Sequence, residues 1–164
     1  MKFANLKDLY HHELRDLYNA ESRLIDTLPQ MEAKAHSPEL KHALRTHLGE
    51  TKAHRERLGT ILKQHSVTPS GEQCEAMDGL VKETMEILEA DGDEATIDAA
   101  LIAMGNRIEH YEMAGYGAAH AHARLLSRDR DAELLQQTLT EEHAADRTLT
   151  LLATSSINRE AVHA

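Results

Sequence analysis

Residues 6–34 read LKDLYHHELRDLYNAESRLIDTLPQMEAK. Tyr10, Leu14, Leu17, Leu24 and Leu28 recur at steps that return to one face of an α-helix, the pattern of a seam between packed helices. The position that should fill the gap between Leu17 and Leu24 holds Glu21. The stretch predicts one long amphipathic helix over about 6–34, with Pro29 able to bend it because proline removes a helical hydrogen bond. Its apolar stripe carries a carboxylate where a leucine belongs.

The next segments repeat the pattern. Ser37-Pro38-Glu39 is a helix start, with serine as cap and proline in the first turn. A second helix is expected over about 38–64, with Leu40, Leu44, Leu48, Leu58, Ile61 and Leu62 inward, forming an antiparallel hairpin with the first. Val67-Thr68-Pro69-Ser70-Gly71 breaks the pattern. Leu80, Met85, Ile87 and Leu88 then mark a short helix that ends at Asp91-Gly92-Asp93. A third long helix is expected over about 94–126 (Leu101, Met104, Ile108, Gly115 and Ala119 inward). The fourth covers about 132–154 (Leu135, Leu139, Leu149 and Ala153 inward), with a frayed tail after Asn158. Residues 66–93 would cross from one end to the other. Short loop, long crossover, short loop is the connectivity of a ferritin-like four-helix bundle, and we read it as placing both hairpin turns at one end.

Composition agrees with an all-α, single-domain chain over residues 1–164. Eight Gly, three Pro and 3% aromatics are too few for the closely spaced turns of a sandwich or barrel. The formal net charge of −10 argues against nucleic acid as a partner. No apolar run approaches the ~20 residues of a membrane span, and Met1–Asn5 leads into a polar helix without a signal-peptide core. Cys74 is alone, which excludes an internal disulfide. The expectation is a cytoplasmic protein with no membrane contact.

Taking each helix to advance about 100° per residue, every charge can be placed against its stripe. Glu21 is central on the first helix, as are Glu142 and Asp146 on the fourth. Glu112 lies within the third stripe, with Glu109 at its edge. On the second, His47 and His54 are central and Glu50 flanks them. Reflection through the two hairpin turns carries Glu21 to the neighbourhood of Glu50, Glu142 to that of Glu112, and Asp146 to that of Glu109. Each cluster lies about 15 residues, roughly 22 Å, from its turn. All four helices therefore deliver acids to one level.

Several carboxylates at one level of a core cannot all ionise unaided, because burial and like charge both oppose it. Two divalent cations remove the conflict, and a Glu/His cage suits Fe or Mn. Ferritin-like di-metal sites use a Glu from two helices and Glu-x-x-His from the other two. Here the Glu-x-x-His pair Glu39/His42 lies at the wrong depth, and the pairs at the acidic level are Glu50/His54, Glu142/Asp146 and Glu109/Glu112. The candidate metal ligands are Glu21, Glu50, His54, Glu109, Glu112, Glu142 and Asp146, with His47 as a donor to a carboxylate and His110 pointing away. Cys74 reads as a small buried residue, and Gly105 and Gly115 as points of close helix approach. A buried ion-pair network around Arg55 would leave most of the negative charge uncompensated.

The segments LKDLYHHELRDLYNAESRLIDTLPQM, HLGETKAHRERL, CEAMDGLVKE, DAALI, IEHYEMAGYG and LLQQTLTEEHAADRTLT, in this order, resemble the bacterial YciF-type ferritin-like stress-protein family over almost the whole chain. The resemblance implies a four-helix bundle with a crossover, a dinuclear Fe or Mn site and a homodimer. Glu21, Glu50, Glu109, Glu112, Glu142 and Asp146 match its acidic motifs, and His54 stands where the family carries Gln or His. Gly49 replaces a usual Glu, expected to face outward, and Arg55 a usual apolar residue. The expected function is a redox protein reacting with peroxide, oxygen or Fe²⁺. The alternatives are a structural or interaction bundle with an incidental polar layer, and an iron-storage shell subunit.

Overall fold

Four helix starts carry their own caps. The side chains of Asn5, Ser37, Cys74 and Asp93 each accept a hydrogen bond from the backbone N–H three residues on. In the computed structural model, which describes residues 2–69 and 73–163, they open α1 (Leu6–Lys34), α2 (Pro38–Gln64), α3 (Glu75–Glu89) and α4 (Glu94–Leu125). The fifth helix, α5 (Asp129–Leu152), follows Arg128 without a side-chain cap. The described residues form an all-α bundle, with α3 in the crossover as expected. Ser70 and Gly71 of the breaker cluster lie outside the described residues.

α2 and α4 both end in a Schellman turn. Val67 N–H donates to Leu62 C=O at 2.9 Å and Arg128 N–H to Ala123 C=O at 2.8 Å. The residue between helix and loop is left-handed in each, Ser66 at φ 56° and Ser127 at φ 54°. An L side chain is strained there and glycine is not. Ser66→Gly and Ser127→Gly are each expected to raise stability by about 0.5–1 kcal/mol, read from the urea midpoint; a loss on both would contradict this account of the turns.

The direction of the helices corrects one expectation. The first turn, at His36 and Ser37, lies against the start of α4, where both backbone N–H groups donate to the Asp98 carboxylate at 2.7 and 2.6 Å. The second turn lies near the start of α1, where Asp131 meets Tyr10 and His65. The two turns are therefore at opposite ends. A crossover that runs the length of the bundle makes α2 and α4 parallel, and that forces the turns apart. The acidic level survives because about 15 residues from either end of a helix of 29 is its middle.

The C-terminal end also departs from expectation. After a π-helical turn over Ala153–Ile157 the chain continues as α6 (Asn158–Val162) instead of fraying. Ala153 and Ile157 are buried against the core, which anchors the segment.

The apolar core comes in two pieces. Leu24, Leu28, Met31, Leu40, Leu44, Leu101, Ile108 and Leu149 belong to one; Tyr10, Leu14, Leu17, Leu58, Ile61, Leu62, Tyr116 and Leu135 belong to the other. Close approach occurs at two of the glycines of α4, Gly105 and Gly115. A Cβ at Gly105 would lie 2.7 Å from a Leu149 methyl, and one at Gly115 2.8 Å from a Leu17 methyl. Between the two apolar pieces lies a polar layer.

Candidate metal centre

The layer is built from the middles of four helices. α1 contributes Glu21, α2 contributes His47 and His54, α4 contributes Glu109 and Glu112, and α5 contributes Glu142. Glu21, His54, Glu112 and Glu142 are fully buried, Glu109 is 2% exposed and His47 6%. Their ligand atoms fall into two groups, each within 4.8 Å: His47, Glu109, Glu112 and Glu142; and Glu21, His54 and Glu142. Glu142 is common to both.

Glu50 and Asp146 stand outside both groups. Glu50 is about one-third exposed, with Oε2 3.5 Å from His47 Nδ1. Asp146 accepts from Asn106 Nδ2 at 2.7 Å and lies 3.2 Å from the Nε2 of an outward-facing His110. His47, expected as an outer donor, reaches Glu109 Oε1 with Nε2 at 3.1 Å and belongs to the four-residue group. Gly49 is exposed, as expected, with open space beyond it.

The contacts around His54 define its orientation. Nε2 faces Glu141 Oε2 at 2.9 Å. Glu141 is in turn gripped by Arg57, with Nη2–Oε1 3.1 Å and a second, shorter contact from Nη1, and by Gln137 Nε2 at 3.1 Å. Burial alone would raise the Glu141 pKa, but the bonds from Arg57 and Gln137 prevail and hold it below the ordinary carboxylate value. An ionised Glu141 accepts a hydrogen bond from Nε2–H and leaves Nδ1 facing inward, 2.9 Å from Glu142 Oε1 and 3.5 Å from Glu21 Oε1. Tyr116 hydroxyl donates to Glu21 Oε1 in a short hydrogen bond. Arg55 takes no part in these contacts; the arginine that matters is Arg57. Neither Arg57 nor Glu141 was legible as a partner, because both sit at the margin of their stripes.

What sets the layer apart is its unmet hydrogen-bonding capacity. Glu21 Oε2, Glu109 Oε2, both oxygens of Glu112 and of Glu142, both ring nitrogens of His47 and Nδ1 of His54 are buried with no hydrogen bond. Buried polar atoms are ordinarily satisfied. Nine unmet atoms on six residues, converging from four helices, have the geometry of a cation cage.

The electrostatics agree. Burial first, then the neighbouring carboxylates, raises Glu112 well above the ordinary carboxylate value, and Glu109 likewise despite the opposing pull of His47. Burial also raises Glu21, although His54 and Tyr116 work the other way. For the histidines burial opposes charge but the acids prevail, lifting His47 to about 9 and His54 to about 10. Raised carboxylates cost stability as pH climbs above their unfolded value. Raised histidines contribute stability that is complete below 6.5 and lost as pH rises through about 9 and 10. Both effects run the same way. The metal-free chain is therefore expected to lose on the order of a few kcal/mol between pH 6.5 and 10, measured by urea unfolding in chelator; a flat or rising profile would contradict it.

A cavity of about 550 Å³ adjoins the layer between α2 and α5, with Leu28, Met31, Ile108 and Leu149 among its walls and two residues of the layer, His47 and Glu109, also lining it. Elsewhere Cys74 is enclosed, its Sγ 2.8 Å from the Tyr111 hydroxyl and 3.2 Å from Asp16, and burial raises its thiol pKa. No helix among the described residues is long and apolar enough to cross a membrane.

Residues 5–162 match a protein family described as a domain of unknown function, DUF892. The chain is 35% identical over 162 residues to protein YciF of Escherichia coli strain K12, covering 98% of both. The crystal structure of that E. coli stress protein superposes with a TM-score of 0.91, covering 95% of this chain and 99% of the other. YcfI of Rhodopseudomonas palustris is 38% identical with a TM-score of 0.85, covering 91% of this chain and 98% of its own. A protein of Xanthomonas campestris pv. campestris, 18% identical with a TM-score of 0.77 over 97% and 98%, shares the fold.

Proposed function

This chain belongs to the DUF892 family, and we propose that it is a dinuclear metal-binding protein of the stress-protein kind, holding two divalent cations, Fe or Mn, in the mid-bundle layer. The observation that carries the reading is the set of buried, unbonded donor atoms on Glu21, His47, His54, Glu109, Glu112 and Glu142. Carboxylate oxygen with imidazole nitrogen is a donor set suited to Fe and Mn. One cation would be held by His47, Glu109, Glu112 and Glu142, the other by Glu21, His54 and Glu142.

When bound, such a pair would supply redox chemistry, giving up electrons to peroxide or oxygen and accepting electrons from further Fe²⁺. The chain's own groups prepare the surroundings. Glu141, anchored by Arg57, fixes the His54 ring so that Nδ1 faces inward. The buried Tyr116 hydroxyl holds a proton against Glu21. The two apolar core pieces limit water at the ends of the layer, and the cavity gives a small oxidant a route to the His47 side. A cytoplasmic homodimer without nucleic-acid or membrane partners completes the proposal.

The test is anaerobic addition of about two equivalents of Fe²⁺ per chain, followed by a peroxide pulse in a stopped-flow spectrometer. A rapid rise in near-ultraviolet absorbance, absent when Glu142 is replaced, is expected; an unchanged spectrum would end the redox reading. A second reading, a non-catalytic bundle, draws on the His54–Glu142 and His47–Glu109 contacts, through which protons could neutralise part of the layer. It requires Glu21→Leu with Glu142→Leu to keep or raise stability at every Mn²⁺ concentration. The dinuclear reading requires wild type to overtake that variant once Mn²⁺ is present.

A further inference from the structure

The cavity between α2 and α5 has a composition that the metal layer does not explain. Its walls are aliphatic, and small residues on facing helices, Ala43, Ala144 and Ala145, keep the space open. Its polar groups are unevenly placed. Glu39, Glu50 and Glu109 line it with His42 and His47, and neither lysine nor arginine does. Where the cavity meets the layer, His47 and Glu109 are 6% and 2% exposed and present ring nitrogens and a carboxylate oxygen with no hydrogen bond. A void of about 550 Å³ is in the range of small-molecule sites, where apolar walls supply affinity and a few convergent polar atoms fix orientation.

We infer that this cavity binds a small organic molecule with an apolar body and a hydroxyl or amine head, seated head-inward against His47 and Glu109. The aliphatic walls take the body. Carboxylates and imidazole take a donor group, and Glu39, Glu50 and Glu109 outnumber His42 and His47 with neither lysine nor arginine beside them, so an anionic head meets net like charge and uncompensated desolvation. The inference concerns binding alone and does not rest on the dinuclear reading, because the walls and the inner polar atoms belong to the protein without metal.

The test uses metal-free chain in chelator, with Nile red as reporter and 1-octanol, n-octylamine and octanoate as competitors. Octanol and octylamine are expected to displace the dye at one molecule per chain, with octanoate weaker by about tenfold or more. Ala145→Leu and, from the opposite wall, Ala43→Leu fill the space. Each is expected to weaken octanol binding by about tenfold or more with the melting temperature kept or raised. Equal binding of octanoate would overturn the inference, as would undiminished octanol binding in whichever filled variants fold. So would a fall in dye binding accompanied by a change of mass in light scattering, because the cleft would then be covered by a second copy of the chain. Normal metal loading with no octanol binding sinks this inference alone, and octanol binding without metal loading sinks only the dinuclear reading.

Discussion

Replacing Glu142 with alanine is expected to abolish binding of both cations, whereas Glu21→Ala abolishes one. Glu142 alone among the described residues belongs to both donor groups. Its two oxygens are buried without a hydrogen bond, and Oε1 lies 2.9 Å from His54 Nδ1. Without it one group keeps His47, Glu109 and Glu112 and the other only Glu21 and His54. The loss should exceed the ~10–100-fold typical of removing an outer partner. Glu141→Gln supplies that comparison, since it loosens His54 without touching a ligand oxygen. Asp146→Asn should leave the stoichiometry unchanged, because Asp146 is engaged with Asn106 and His110. Elemental analysis after gel filtration separates these outcomes; two cations retained by Glu142→Ala would refute the shared-carboxylate geometry.

Saturating Mn²⁺ is expected to raise the melting temperature by roughly 10–20 °C. A ligand at about a hundredfold excess over its dissociation constant stabilises the folded state by ~2.7 kcal/mol. Two sites give about twice that, and a chain of this size gains roughly 2–4 °C for each kcal/mol. The shift should grow with pH. Proton release favours the loaded state as the medium becomes more basic, while the metal-free chain is losing the support of protonated Glu109, Glu112, His47 and His54. Scanning calorimetry at two pH values tests both points. A shift near zero, or one that shrinks with pH, would contradict the cation cage.

Much of this was legible in the sequence because helical periodicity reports burial. Glu21, Glu112 and Glu142 interrupt otherwise apolar stripes, and all three are fully buried. Their common depth was also legible, although through a mistaken placement of the turns: a point midway along a helix has the same depth measured from either end. Position relative to a stripe is coarser than position in space. Asp146 shares the stripe with Glu142 but sits a turn further along α5, with a shorter side chain and polar neighbours that claim it. His47 departs in the opposite direction: it meets a carboxylate, as expected of a donor, yet lies inside the four-residue group. Its approach to Glu109 depends on the register of α2 against α4, two parallel helices that no hairpin turn joins directly. Arg57 and Glu141 sit at the margins of their stripes, where periodicity does not mark a partner. The α2/α5 cavity left no signal, because it arises from interhelical spacing. Ile157, just ahead of the segment expected to fray, is buried against the core and holds the start of α6 in place.

The central claim is that a ring of buried carboxylates in the middle of this bundle is held ionised by two cations. Anomalous diffraction from crystals grown in Mn²⁺ tests it directly. The account predicts two peaks flanking Glu142, one toward His47, Glu109 and Glu112 and the other toward Glu21 and His54. Mn²⁺ found only on surface acids, with the mid-bundle side chains bonded to water or to one another, would contradict it.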